Sequence, residues 1–291
     1  MNHAGEIREL ARIARPTVGV VTNVGYAHME FFDSIDGIAL AKRELIESLP
    51  PDGTAVLNAD DERVRRFREV HPGPVLTFGL SEDADVRAEQ VEHTAEGVRF
   101  RAGRDTWFES SLMGEHGVRN ILAGLAVARV FGIAPERLRE PVRALRAGKM
   151  RGERFLHQGI TIWNDCYNSN PEAAKLMLAA LRDVQARRRI AVLGEMLELG
   201  RWAEVLHREV GTYAAGCGIS VLVGIRGAAR QLVDAAISSG QARDAAFFFD
   251  EPKPAGDFLK TVVREGDVVL FKGSRGTQVE KALESFLEGR G

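Results

Sequence analysis

At residues 164–171 the sequence reads NDCYNSNP, between the apolar stretch GITIW and the helical pattern PEAAKLMLAALRDV. Asn170 and the proline after it have a simple explanation, because Asn is a favourable helix N-cap and Pro suits the first helical turn. Capping leaves Asp165, Tyr167 and Asn168 unexplained. In an open α/β sheet, ligands bind at the carboxyl ends of the strands. The segment therefore indicates a binding or catalytic site.

A second candidate is the loop KGSRGT at residues 272–277, which follows the strand pattern DVVLF and precedes a helix pattern. Its two glycines allow backbone N–H groups to converge, and Lys272 and Arg275 add positive charge. Such a loop suits a phosphate or a carboxylate. It is not a Walker A loop, because the order G-x-x-x-x-G-K-[ST] occurs neither here nor elsewhere in the sequence.

Four further polar residues are ambiguous when each is taken alone. His28 follows the strand pattern TVGVVTN, where a lone histidine is more often structural than a ligand. Lys42 lies in the helix pattern IALAKREL, where partial burial would lower the pKa of its amine, although a lone helix lysine is nearly always solvated. His116 and Asn120 lie on one face of a helix's first turn, and a capping histidine beside a solvated asparagine is the simpler interpretation.

The elements that must position these residues follow from the apolar patterns. Helices are predicted at residues 5–14, 34–49, 116–131 and 135–147. Strands are predicted at residues 17–23, 54–60, 159–164, 189–194, 219–223, 245–249 and 267–271. From about residue 74 to 110, the runs VLTFG, VRAEQVE, GVRFRA and TWFES predict an antiparallel excursion. Beyond residue 150, regular alternation predicts a doubly wound, Rossmann-like domain.

The composition is that of a soluble globular protein with two domains of ordinary size. The 291 residues are 45% hydrophobic and 27% charged, with a formal net charge of −2. The short run RRR at 187–189 is a solvated helix end, so no nucleic acid is expected as a partner. No apolar stretch approaches the ~18 residues of a membrane span, and no signal peptide is present. Two cysteines without metal-like spacing predict a reduced, cytoplasmic protein.

Taken together, the motifs form an ordered series that resembles the Mur ligases of peptidoglycan synthesis: TNVGYAH, AKREL, LNADD, GEHGVRN, MRGE, NDCYNSNP, VLGEMLELG, LHREVG and KGSRGT. The strings D-x-Y-N-x-N-P, L-G-[DE]-M-L-E-L-G and K-G-S-R-G are specific to the MurF branch. The resemblance covers essentially the whole chain. It implies an α/β fold, with the remainder of a central ATPase domain at residues 1–148 and a Rossmann-like C-terminal domain at residues 149–291.

The resemblance implies an ATP-dependent amide ligase that uses Mg²⁺. ATP would phosphorylate the terminal carboxylate of UDP-N-acetylmuramoyl-tripeptide, and the amine of D-alanyl-D-alanine would attack the acyl phosphate. His28, Lys42 and Asp165 are the implied catalytic residues. His28 and Lys42 are also the implied magnesium ligands, the lysine in carbamylated form, because a carbamate offers the hard oxygen that Mg²⁺ prefers.

The resemblance also implies binding residues. Nucleotide contacts fall to His116, Asn120, Arg151 and Asp165. Substrate contacts fall to Tyr167, Asn168, Asn170, Lys272, Ser274 and Arg275. Glu195, which stands where Asp is more usual, is expected to line the same edge together with Glu198 and His207. The chain is expected to be a monomer.

One departure concerns the phosphate-binding loop. Family members carry G-T-x-G-K-T upstream of the segment that matches MNHAGEI, and this sequence does not contain it. Met1 is therefore expected to be an internal methionine of a longer chain or the start of a degraded gene, and the chain alone is expected to be inactive. The alternative is a non-catalytic remnant that binds nucleotide or dipeptide. A Rossmann oxidoreductase is disfavoured, because no G-x-G-x-x-G follows a strand.

The same departure predicts a weakness in the first domain. Without the strand of the phosphate-binding loop, TVGVVTN and TAVLNAD are both expected to lie beside an unfilled position of their sheet. Exposed apolar strand edges recruit other chains, so residues 1–148 are expected to be poorly soluble by themselves.

Overall fold

The computed structural model describes residues 1–94, 97–103 and 105–288. It divides the chain into two compact units, Met1–Arg146 and Ala147–Gly291. Each unit is built on one six-stranded sheet with helices packed against it. The predicted α/β fold class is confirmed.

The sheet of the first unit has the strand order β1-β2-β3-β4-β5-β6. Its strands are β1 (Val18–Val21), β2 (Thr54–Asn58), β3 (Val75–Gly79), β4 (Val86–His93), β5 (Val98–Ala102) and β6 (Thr106–Ser110). The first four strands pair in parallel, whereas β4, β5 and β6 pair antiparallel.

Two expectations about this sheet were wrong. VLTFG does not belong to the antiparallel part, because the helical crossover between β2 and β3 returns the chain in the same direction, and a parallel pair requires such a crossover. TAVLNAD does not border an unfilled position, because β2 is paired with β1 on one side and β3 on the other. TVGVVTN forms β1, which lies at the edge of the sheet.

The helices of the first unit pack against this sheet and against each other. They are α1 (Glu6–Ala14), α2 (Ile35–Glu47), α3 (Glu62–Arg65), α4 (Gly114–Val130) and α5 (Arg139–Ala144). The core joins α4 to the sheet through fully buried side chains that include Phe78, Phe100, Phe108 and Leu122. The predicted helix at 135–147 is a 3₁₀ turn, Pro135–Leu138, followed by the shorter α5.

The sheet of the second unit has the strand order β11-β10-β9-β12-β8-β7, and only the edge strand β7 runs antiparallel. Its strands are β7 (Glu153–His157), β8 (Ile160–Asp165), β9 (Arg188–Gly194), β10 (Val221–Ile225), β11 (Ala246–Phe249) and β12 (Asp267–Lys272). The helices are α6 (Pro171–Asp183), α7 (Ala203–Ala215), α8 (Ala229–Ser238), α9 (Pro252–Val262) and α10 (Glu280–Leu287). The predicted parallel, doubly wound sheet is confirmed.

Glycines bring the two central strands of this sheet close to the helix that follows KGSRGT. A Cβ atom on Gly273 would lie 2.4 Å from Cγ2 of Val279, and a Cβ atom on Gly194 would lie equally close to the same methyl group. These positions therefore accept no larger residue without a local shift. The close approach packs the loops after β9 and β12 against each other.

The described part of the chain contains no helix with the length and apolar character needed to cross a membrane.

Helix α6 begins where the sequence predicts, with Asn170 as its N-cap. The side-chain oxygen of Asn170 accepts from the backbone N–H of Ala173 over 2.8 Å, and Pro171 occupies the first helical position. We expect Asn170→Ala to lower the free energy of unfolding by about 1 kcal/mol, because one backbone donor loses its partner. Asn170→Asp keeps the acceptor and should remain within about 0.5 kcal/mol of the parent. Urea unfolding of both variants measures the difference, and equal losses would contradict the capping role.

Candidate functional site

In the first unit, the segment after β1 is held by side chains at the end of β2 and just after it. The amide nitrogen of Asn58 donates to the carbonyl oxygen of Thr22 over 2.7 Å. The carboxylate of Asp61 accepts from the backbone N–H of Val24 over 2.7 Å, and its other oxygen caps α3. The NADD motif therefore holds the backbone that leads to His28.

Lys42 and His28 are both brought to the carboxyl end of β1. Lys42 reaches there from α2, and its Nζ donates to the carbonyl oxygen of Asn23 over 2.7 Å. His28 is half-buried and has a left-handed backbone conformation (φ 64°), immediately before the 3₁₀ turn Met29–Phe31. The segment 23–28 thus carries the imidazole of His28 and accepts a hydrogen bond from the amine of Lys42.

Asp60 connects the end of β2 to two further parts of the first unit, the chain after β3 and helix α4. Its carboxylate accepts from the backbone N–H of Leu80, from both donors of Ser81 and from Nε of Arg119, the last over 2.8 Å. Burial by itself raises the pKa of the Asp60 carboxyl, but the hydrogen bonds from Ser81, Leu80 and Arg119 outweigh it and hold the pKa below its ordinary value of 3.8. Asp60 is therefore an ionised anchor for α4.

The ion pair of Arg119 places the first turns of α4, which carry two predicted nucleotide-binding residues. Helix α4 begins at Gly114, so His116 lies inside the first turn and not at the cap, which is Met113. His116 is half-buried, and Asn120 is exposed. Asn120 is therefore open to a ligand from solvent.

In the second unit, Asp165 and Lys272 come together at the carboxyl ends of neighbouring strands. They are register partners in β8 and β12, and Nζ of Lys272 lies 2.6 Å from Oδ2 of Asp165. The same ammonium donates to the carbonyl oxygen of Asn168 over 3.0 Å. Lys272 is only 2% exposed, so its ammonium interacts with groups of the protein and not with solvent.

Ser274 and Arg275, which also belong to KGSRGT, differ in exposure. Ser274 is buried; its Oγ accepts from the backbone N–H of Leu197 over 3.0 Å and donates to the carbonyl oxygen of Ser169 over 3.3 Å. Arg275 has a side chain that is 64% exposed and pairs with Glu280 over 2.8 Å. Ser274 therefore joins loops, whereas Arg275 presents charge to solvent.

The NDCYNSNP segment also contains both kinds of residue. Asn170 is used as a helix cap, while the side chains of Tyr167 and Asn168 are exposed. The Arg151 guanidinium lies over the Tyr167 ring, 3.8 Å from its centroid, which is a cation–π contact. The structure thus brings one predicted nucleotide-binding residue and one predicted substrate-binding residue into contact.

The carboxylate of Glu195 accepts a backbone hydrogen bond at the start of α8. Its Oε1 accepts from the backbone N–H of Ala228 over 2.9 Å, and a Cβ atom on Gly227 would lie 2.2 Å from the same oxygen. Helix N-termini attract anions, so this carboxylate of the chain itself occupies a position that phosphate takes in dinucleotide-binding folds. Glu198, by contrast, is exposed.

His207 does not line the edge as expected, because it is completely buried in α7. Its Nδ1 lies 2.6 Å from the carbonyl oxygen of Ala203, and its Nε2 accepts from the backbone N–H of Met196 over 2.9 Å. Burial lowers the pKa of the imidazole below its ordinary value of 6.5, although the hydrogen bond to Ala203 and the charge of Glu195 oppose this shift.

Two protein families match the chain along most of its length. The Mur ligase middle domain matches residues 1–128, and the Mur ligase, glutamate ligase domain matches residues 150–275. The chain belongs to the Mur ligase family.

Curated Mur ligases align with nearly the whole chain. The UDP-N-acetylmuramoyl-tripeptide–D-alanyl-D-alanine ligase of Bacillus subtilis is 30% identical over 291 residues, which are 99% of this chain and 63% of the relative. The ligase of the same name from Synechocystis is 32% identical over 292 residues, covering 99% of this chain and 61% of the relative. The chain therefore spans less than two thirds of the length of these relatives.

Solved Mur ligase structures share the fold. MurF from Acinetobacter baumannii superposes with a TM-score of 0.90 at 25% identity, covering 99% of this chain and 63% of that one. MurF from Thermotoga maritima, solved in complex with ADP, gives a TM-score of 0.87 at 28% identity and covers 100% of this chain and 66% of that one.

The donor set limits how this Mur ligase chain would hold a metal. Among residues 1–94, 97–103 and 105–288, no three His, Cys, Asp or Glu side chains are arranged around a common metal position. Mg²⁺ is commonly bound by one or two protein ligands together with waters and substrate phosphates. His28 and a carbamylated Lys42 fit such a shared site. Lys42 without the carbamate does not fit, because its ammonium is a hydrogen-bond donor only and has no lone pair for a metal.

Several residues that hold these loops have no role assigned from the sequence. Glu44, inside the AKREL motif, is buried and accepts from the backbone N–H groups of Gly5 and Arg8 at the start of α1. Asp60 and Arg119 link β2 to α4 across 59 residues of sequence. Helix α1 begins without a capping side chain of its own, so its first backbone N–H groups need acceptors from elsewhere in the chain. This is a local signal that a distant side chain such as Glu44 could serve as the acceptor.

The pair of Asp165 and Lys272 generates a prediction about stability. We expect Lys272→Met to lower the free energy of unfolding by about 3 kcal/mol, because it leaves a carboxylate that is mostly buried without its partner. Combining Lys272→Met with Asp165→Leu should restore more than half of that loss, since no unpaired charge remains. Urea unfolding of the two single variants and the double variant forms the test. Additive losses would contradict direct coupling.

The buried His207 generates a prediction about pH. Because its pKa is lower in the folded than in the unfolded protein, the unfolded state binds the extra proton below about pH 6.5, and stability falls as the pH falls. The free energy of unfolding should therefore decrease more between about pH 7.5 and about pH 5.5 in the parent than in His207→Gln, which cannot titrate. Urea titrations of both proteins at each pH give the difference, and parallel pH profiles would contradict it.

Proposed function

We propose that this chain is the middle and C-terminal part of an ATP-dependent amide ligase that joins D-alanyl-D-alanine to UDP-N-acetylmuramoyl-tripeptide. The observation that carries the proposal is the alignment of curated ligases of that name along 99% of the chain. The alignment includes the polar motifs at the carboxyl ends of the strands in both units.

The proposed chemistry activates a carboxylate. A carboxylate is a poor acyl donor because its leaving group would be oxide, and phosphorylation by ATP supplies a better one. The amine of the dipeptide then attacks the acyl carbon, and inorganic phosphate leaves. Such a reaction depends mainly on positioning and charge stabilisation, which Mg²⁺ supplies at the phosphates. Its use of ATP places the activity in the cytoplasm, in agreement with the cysteine content.

In the first unit, the proposed roles fall to residues at the carboxyl end of β1 and the start of α4. Lys42, once carbamylated, and His28 would hold Mg²⁺ beside the nucleotide phosphates. The 2.7 Å hydrogen bond from Lys42 to Asn23 supports a position on the segment that carries His28. Asn120, with His116 near it, would contact the adenine, and the exposure of Asn120 supports this role.

In the second unit, the exposed side chains are the ones suited to direct contact with ligands. Arg151 and Arg275 present guanidinium groups that bind phosphate or carboxylate well, and Tyr167 offers an aromatic face. Asp165 would act on the ATP side of the reaction. The buried Lys272 and Ser274 would act by holding the loops on which these groups stand.

The proposal is tested by joining the chain behind the part of the Bacillus subtilis ligase that the alignment leaves uncovered. With ATP, Mg²⁺ and both substrates, we expect phosphate release at about 1 per second or faster, and none without the dipeptide. The chain by itself should release no phosphate under the same conditions. Nucleotide binding by the fused protein without turnover would indicate the non-catalytic remnant instead.

Lys42 provides a sharper test within this fused protein. Lys42→Ala should nearly abolish ligation, and acetate or formate should restore part of it by supplying the missing oxygen ligand. Arg43→Ala is the matched control, because Arg43 is the next residue and its guanidinium forms a partly exposed ion pair with Glu47 on α2 itself. Steady-state phosphate release is measured for Lys42→Ala, for Lys42→Ala with acetate or formate, and for Arg43→Ala. Full activity of Lys42→Ala without additive would remove Lys42 from the mechanism.

A further inference from the structure

The loop that follows β9, residues 195–199, is held from two sides. On one side, the backbone N–H of Met196 donates to Nε2 of the buried His207 over 2.9 Å. On the other side, the backbone N–H of Leu197 donates to Oγ of Ser274 over 3.0 Å. Loop 195–199 therefore lies between the histidine of α7 and the KGSRGT loop.

The second side has further connections. The hydroxyl of Thr277 donates to the carbonyl oxygen of Glu195 over 2.9 Å. The hydroxyl of Ser274 continues to the carbonyl oxygen of Ser169, over 3.3 Å, in the segment after β8. A displacement of loop 195–199 would therefore reach both loops in which the candidate substrate residues lie.

The contacts of His207 require a neutral imidazole of defined tautomer. Nε2 faces a backbone N–H, so it must carry a lone pair, and Nδ1 faces the carbonyl oxygen of Ala203, so it must carry the proton. The side chain is 0% exposed, so water cannot replace either partner at low cost. A rigid ring with one donor and one acceptor meets both demands.

We propose that His207 is a positioning residue for the substrate-binding edge of the second unit. It fixes Met196, and through loop 195–199 it sets the positions of Ser274 and Thr277 in the KGSRGT loop. His207 itself touches no ligand. The statement about substrate rests on the proposed ligase function, whereas the statement about loop 195–199 does not.

Two amide substitutions separate the two hydrogen bonds of His207. In His207→Gln, the side-chain oxygen reaches the place of Nε2 and can still accept from Met196. In His207→Asn, the shorter amide reaches the place of Nδ1 and can still donate to Ala203, but nothing accepts from Met196. Both variants lose one hydrogen bond and bury an amide, so their overall stabilities should be similar. Only the asparagine variant should release loop 195–199.

Amide hydrogen exchange in the full 291-residue chain measures this directly. In His207→Asn we expect exchange at Met196 and Leu197 to accelerate about tenfold or more relative to amides of strand β10, and in His207→Gln by less than about threefold. Equal acceleration in both variants, or none in His207→Asn, would overturn the proposal. Normalising to β10 removes any general loss of stability.

A measurement on the parent protein keeps the proposal testable if the variants do not fold. Long-range ¹H–¹⁵N correlation spectra of the His207 ring should show Nδ1 protonated and Nε2 unprotonated at neutral pH. The opposite tautomer could not accept from Met196 and would refute the assignment.

The link to substrate is tested in the fused ligase. His207→Asn should raise KM for the dipeptide about tenfold with a smaller effect on kcat, while His207→Gln should retain most of the parent's kcat/KM. Unchanged KM in His207→Asn, despite a released loop, would overturn the link to substrate. An inactive parent fusion would count against the proposed ligase function, and the exchange data alone would then decide the role of His207.

Discussion

The arrangement of the second unit depends on a buried ion pair between Asp165 and Lys272. An ammonium that is 2% exposed would cost several kcal/mol if it stood alone. Pairing removes that cost only while β8 and β12 are neighbours in the register that sets these two residues side by side. The same ammonium holds the carbonyl oxygen of Asn168. One charge therefore ties strand order, register and the course of the NDCYNSNP segment to each other.

The polar motif residues of both units fall into two groups. The buried residues, such as Asn58, Ser274 and His207, form hydrogen bonds with backbone atoms of neighbouring loops. Those that remain exposed, such as Arg151 and Arg275, keep donors available to solvent or to a ligand. A buried polar group without a partner is costly, so the first group specifies where the loops lie. The second group is suited to binding and chemistry.

Acidic side chains serve as internal anions at several element ends. Glu44 accepts from backbone N–H groups at the start of α1, and Glu195 does the same at the start of α8. Asp60 collects donors from the chain after β3 and from α4. In each case a carboxylate from a distant part of the sequence satisfies donors that the local backbone leaves open. These carboxylates thereby help to set where the neighbouring chain segments lie.

The sequence by itself determined the features that depend on neighbouring residues. The α/β class, the alternating elements of the second unit and the Asn170 cap of α6 follow from local periodicity and from side chains that reach a few residues along the chain. Only the tertiary structure decided that β3 runs parallel to β2, that Glu195 caps α8 and that His207 is buried. Leu197 and Ser274 are 77 residues apart, and Lys272 and Asp165 are 107 residues apart. Contacts of that range arise from strand order and packing, which no local pattern contains.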